Sequence, residues 1–113
     1  MFKRVVLCAV GARPLRQGHD HNLQHIVPPV KAATPGAATP PAVHYVTSGA
    51  GSNVRDDVTS SGDSLGALKF AHGGTPGFVV LRANRTSLAV THHSAPAGTL
   101  LHTEVIRRVV VRR

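Results

Sequence analysis

No stretch of this chain carries the i, i+3, i+4, i+7 apolar stripe of a packed helix, and turn-forming residues interrupt it roughly every 10–15 residues. A chain punctuated in this way folds into short strands joined by tight turns. The expected class is therefore mainly β, an antiparallel strand meander. Residues 4–10 form a compact β-prone run, and 43–47 form another that ends at Ser48-Gly49-Ala50-Gly51-Ser52. Further strands are expected over 67–71, 78–83, 87–93 and 100–111. The breakers between them are Gly73-Gly74-Thr75-Pro76-Gly77, Asn84-Arg85-Thr86 and Ala95-Pro96-Ala97-Gly98. Pro28, Pro29, Pro35, Pro40 and Pro41 fall in residues 27–42, where lost donors and fixed φ predict a surface loop. The polar stretch 53–64 reads as loop as well.

The side chains available for a core are small. The aromatic residues are Phe2, Phe70, Phe78 and Tyr45, so burial must rest on Val, Leu, Ala and Ile. With 113 residues the chain is one domain at most, and an incomplete fold with poor independent stability is expected. Cys8 is the only cysteine, which excludes an intrachain disulfide. Met1-Phe2-Lys3-Arg4 followed by Val5-Val6-Leu7-Cys8-Ala9-Val10 has the order of a signal peptide. Its apolar run is too short for one, so a buried strand is the reading, and no compartment follows. No stretch is long enough to span a bilayer as a helix. The net charge is +8, from 13 Lys and Arg against 5 Asp and Glu. That charge suits a solvated basic surface or a phosphate-bearing partner. Beyond Arg107-Arg108 and the basic tail 109–113 the cations are scattered, without the interleaved aromatics of a single-strand nucleic-acid binder.

The residues that carry chemistry are His19 and His21, in Gly18-His19-Asp20-His21. Imidazole nitrogen is a favoured ligand for zinc and iron near neutral pH. Residues at i and i+2 of an extended backbone lie on one side, so both rings can address one cavity. Gly18 lets the chain turn sharply just before them. In a chain with eight histidines an H-x-H pair alone is weak, and a surface pair is the ordinary explanation.

The surrounding residues add a resemblance. Gly18-His19-Asp20-His21-Asn22-Leu23-Gln24 resembles the last metal-binding motif, GHxH, of the metallophosphoesterases, and of the purple acid phosphatases in particular. Tyr45-Val46-Thr47-Ser48-Gly49-Ala50-Gly51-Ser52 is similar to that family's next segment, a strand ending in SGAG. Leu68-Lys69-Phe70-Ala71-His72 and Gly77-Phe78-Val79-Val80-Leu81 look like its closing hairpin, and residues 88–108 follow its last two strands. The match covers 18–108, with 27–42 as a long Pro/Ala insertion, and leaves 1–17 as a poorly matched strand and loop.

The resemblance implies part of a four-layer α/β sandwich and a dinuclear metal centre, iron with zinc, manganese or a second iron, acting on phosphate monoesters. By position His19 corresponds to a ligand of the divalent ion and His21 to a ligand of the ferric ion. Asp20 is no ligand in that family, and Asn22 and His25 are candidates for the hydrogen-bonding shell around the ligands. The family also requires GDxG, GDxxY and GNH followed by Asp or Glu, with a further histidine. The 17 residues before Gly18 hold none of these. Two ligands cannot close a shell of four to six, so the isolated chain is expected to be inactive and to need an upstream catalytic segment.

Gly62-Asp63 lies after the histidine motif in a Ser-rich loop and is read as coincidence, and Tyr45 matches no ligand position. His44, His72, His92, His93 and His102 fall on strands or turns and are read as surface or partly buried residues; His92 and His93 point to opposite faces. The competing readings are a small basic β module for nucleic acid or acidic partners, and a remnant with no function of its own.

Overall fold

The computed structural model of the chain describes residues 5–8, 21–39, 42–51, 54 and 66–107. The expectations for His19, Asp20, the loop with Gly62-Asp63 and the tail 109–113 lie outside the described residues. Seven strands are present: β1 (Val5–Cys8), β2 (Leu23–Ile26), β3 (His44–Ser48), β4 (Leu68–His72), β5 (Gly77–Ala83), β6 (Ser87–Ser94) and β7 (Leu100–Arg107). Among the described residues there is no helix, and none long and apolar enough to cross a membrane.

The strands form two sheets. One has the order β1-β3-β2-β4 and the other β5-β6-β7. β5 to β7 are a meander of antiparallel hairpins, as the turn signals predicted. At the first hairpin Asn84 Oδ1 accepts hydrogen bonds from the backbone N–H of Thr86 and Ser87, both at 2.8 Å. The Asn side chain thus replaces a strand partner within the turn, which is why Asn suits it. At the second hairpin Gly98 takes φ 73°, a value that costs a residue with a Cβ. Its N–H donates to the Ser94 carbonyl at 2.9 Å.

Two expectations are corrected. The segment at 67–71 does not continue the meander: β4 pairs antiparallel with β2, with Leu23 opposite His72 and His25 opposite Phe70. The four residues Gly73-Gly74-Thr75-Pro76 separate it from β5, and over them the chain changes sheets instead of turning back. The first sheet is also mixed, because β1 runs parallel to β3. The strand β2 follows directly on the histidine motif; its four residues are too short for the alternation to stand out in sequence.

Cross-strand partners share a face, so the register assigns each sheet an inner surface. Leu23, His25, Val46, Phe70 and His72 lie on one face of the first sheet. Leu88, Val90, His92, His102, Glu104 and Ile106 lie on one face of the second. The apolar core where they meet is small: Val46, Val90 and Ile106, with Val79 and Leu88 packed against it. The sheets are also joined through backbone, since Gly77 N–H donates to the Ala50 carbonyl at 3.0 Å. A Cβ on Gly77 would lie 2.6 Å from the His93 carbonyl oxygen and 2.6 Å from Leu23 Cδ1, so only glycine fits that approach.

Candidate functional site

Two groups of polar side chains stand out, and β2 carries both. The first is the remainder of the GHDH motif. His21 is half-buried and immediately precedes Asn22 and β2. Asn22 is 3% exposed; its Oδ1 accepts from Gln24 Nε2 at 2.9 Å, and its carbonyl accepts from Gly49 N–H at 2.9 Å. β2 pairs with β3 so that Leu23 faces Ser48 and Gln24 faces Thr47. The HNLQ segment and the TSGAG segment therefore meet at one end of one sheet.

The second group lies between the sheets. His25, fully buried, sits with its Nε2 at 3.0 Å from His44 Nδ1, and His44 is 6% exposed. His92, also fully buried, reaches from β6 to place Nε2 at 3.3 Å from the Gln24 carbonyl. The ring centroids of His25, His92 and His102 form a near-regular triangle, with separations of 6.0, 5.9 and 5.7 Å. Phe70 closes the cluster from β4, 4.7 Å from the His102 ring in a stacked arrangement and 4.9 Å from His92.

Tautomers follow from these partners. A carbonyl only accepts, so neutral His92 keeps its proton on Nε2 and leaves Nδ1 as a bare lone pair. The Nδ1 atoms of His25 and His92 and the Nε2 of His102 are buried without a hydrogen-bond partner. An unmet buried polar atom costs about 1–3 kcal/mol, so this cluster is a strained part of the interface. Charging His25 and His92 is harder still. Burial holds His25 well down, to about 4 against an ordinary 6.5, and repulsion from His44, His92 and His102 adds to it. His92 is lowered too, chiefly by burial, with the Gln24 carbonyl opposing the shift.

Among the described residues no three His, Cys, Asp or Glu side chains are grouped so as to hold a metal ion. That bears on the buried imidazoles and not on the GHDH motif, because His19 falls outside the described residues.

His25, a candidate for the hydrogen-bonding shell around the motif, has its ring beside His44 and near His92 and His102 of the facing sheet. Sequence reasoning read His44, His92 and His102 as surface or partly buried; His44 and His92 are buried instead. A signal was present. Each lies an even number of residues from a buried apolar side chain on its own strand: His25 from Leu23, His44 from Val46, His92 from Val90, His102 from Ile106. His92 and His93 do point to opposite faces of β6, His93 stacking on Phe78 at 5.2 Å. His72 pairs with Thr75 Oγ1 at 2.7 Å.

The chain matches no family model, no curated protein and no solved structure.

Proposed function

We propose that this chain is the C-terminal portion of a metal-dependent acid phosphatase of the purple acid phosphatase type, inactive unless joined to a catalytic segment. The observation that carries the reading is the order of GHDHNLQ and YVTSGAGS in the sequence, together with the pairing of their strands as β2 and β3. The two segments follow one another in the order of that family, and their strands lie side by side in one sheet. On this reading the two sheets correspond to part of a four-layer α/β sandwich.

The donor chemistry fits part of such a site. His19 and His21 would each give an imidazole nitrogen to a dinuclear centre of iron with zinc, manganese or a second iron. The metals would polarise a phosphate monoester and acidify a water. Within this chain, Asn22 is the residue placed to fix the segment beside His21, through its buried amide and its bond from Gly49. His25 turns to the other side of the problem, the contact between the sheets.

The test is an assay of the 113-residue chain with p-nitrophenyl phosphate and added Fe, Zn or Mn. No hydrolysis is expected. Metal-dependent turnover that disappears in His21→Ala would overturn the claim of inactivity. Reading the nucleotide sequence upstream tests the other half, with GDxG, GDxxY and GNH motifs expected in frame and their absence counting against the assignment.

One observation favours a second reading, a basic surface module. Arg82, Arg85 and Arg107 are exposed at the same end of the three-stranded sheet, where Ser87 faces Arg107 and Ala89 faces Arg82. Such a module would bind polyanions with steep salt dependence and would ignore His21→Ala. Absence of binding to heparin at low salt disposes of it.

A further inference from the structure

The structure assigns a role to histidines that the phosphatase reading does not use: we propose that His25 and His92, packed against His44 and His102 where the two sheets meet, form a proton-operated latch that releases the sheets from each other when the solution turns mildly acidic. Three facts carry it. The four rings come from both sheets, β2 and β3 on one side and β6 and β7 on the other, so charge on them acts across the contact and not within one layer. Among the described residues, β4 sets the apolar Phe70 opposite His25 and beside the His92 ring, and β5 sets Val79 opposite His92. His92 Nδ1, a bare lone pair buried without a hydrogen-bond partner, is the atom a proton would take.

Of the chain's five acidic residues only Glu104 falls among the described ones, and it lies opposite Val90, two residues along β7 from His102. His72 shares the inner face of β4 but is engaged by Thr75, and His93 lies on the outer face of β6. A first proton on the cluster is desolvated, and a second places like charges about 6 Å apart with little water between them. Separation of the sheets rehydrates all four rings at once and uncovers Val46, Val90 and Ile106. The small size of that apolar core is what lets protonation win. A cluster of this kind beside a large core would only soften it.

The experiment follows the full chain from pH 7.5 to 4.5 by amide hydrogen exchange and by binding of the apolar dye ANS. The expected result is loss of protection in β2 and β6 together, with a several-fold rise in dye fluorescence and a midpoint below the ordinary histidine range of about 6.5. His92→Gln keeps a donor for the Gln24 carbonyl and removes the titrating ring. It should move the midpoint down by about half a pH unit or more and make the transition less steep, while His72→Gln leaves it in place. An unchanged midpoint in His92→Gln, or a midpoint that moves instead with Glu104→Gln, overturns the latch. If His92→Gln does not fold, imidazole NMR of the wild-type chain decides: rings of His25 and His92 must stay neutral until the amides open. Either ring titrating near 6.5 while β2 and β6 remain protected refutes the proposal.

Discussion

Gly77 offers the sharpest probe of how the two sheets sit together. It begins β5, pairs with Ser94, and donates its N–H to Ala50 across to the other sheet. The methyl of Gly77→Ala would stand 2.6 Å from both the His93 carbonyl oxygen and Leu23 Cδ1. Ordinary contact begins near 3.4 Å, so something must give by most of an ångström. Leu23 is fully buried and has little room to swing, and the carbonyl belongs to the backbone of the paired strand. Overpacking of this kind costs about 1–3 kcal/mol, and the upper half of that range is expected because a ladder must shift. For a domain of this size about 2 kcal/mol lowers Tm by about 8–16 °C. Gly51→Ala is the matched control, since a Cβ there meets nothing within 4 Å. Urea denaturation of the two variants makes the comparison. A Gly77→Ala variant within about 0.5 kcal/mol of Gly51→Ala would show that the sheets do not approach each other as described.

Two further outcomes follow. Asn84→Ala removes an acceptor that serves two backbone N–H groups of the β5–β6 hairpin, and should cost about 1 kcal/mol by urea denaturation. A change near zero would show that the turn holds without its side chain. Stability should also fall in acid. His25 takes a proton at 6.5 when unfolded and only near 4 when folded, so the full stability is present above pH 6.5 and is lost progressively as pH falls toward 4. The interval corresponds to about 3 kcal/mol, an upper figure because sheet separation intervenes first. A pH-independent urea midpoint between 7 and 5 would contradict the burial of His25.

The turns were legible because their chemistry is local. Asn84-Arg85-Thr86 and Ala95-Pro96-Ala97-Gly98 mark the hairpins that join β5, β6 and β7, and those strands lie within a residue or so of expectation at most ends. What sequence could not give was partnership. Nothing in Leu68–His72 says that it pairs with β2 across a long loop in place of the next strand, because that choice depends on burying Phe70 against His92 and His102. The burial of His44 and His92 was not legible for a related reason. An imidazole is compatible with water or with an interior, and periodicity alone shows which face it shares, not whether a second sheet covers that face. His21 and Asn22 were singled out by motif, and their setting became clear only through the bond between Asn22 and Gly49.

The most direct test of the phosphatase reading is to join the chain to the segment encoded upstream and measure metal content and p-nitrophenyl phosphate hydrolysis together. The account predicts two metal ions per chain and turnover in the joined protein, with both reduced in His19→Ala and in His21→Ala. A joined protein that folds, hydrolyses the substrate and keeps its metals and its rate in both variants would contradict it.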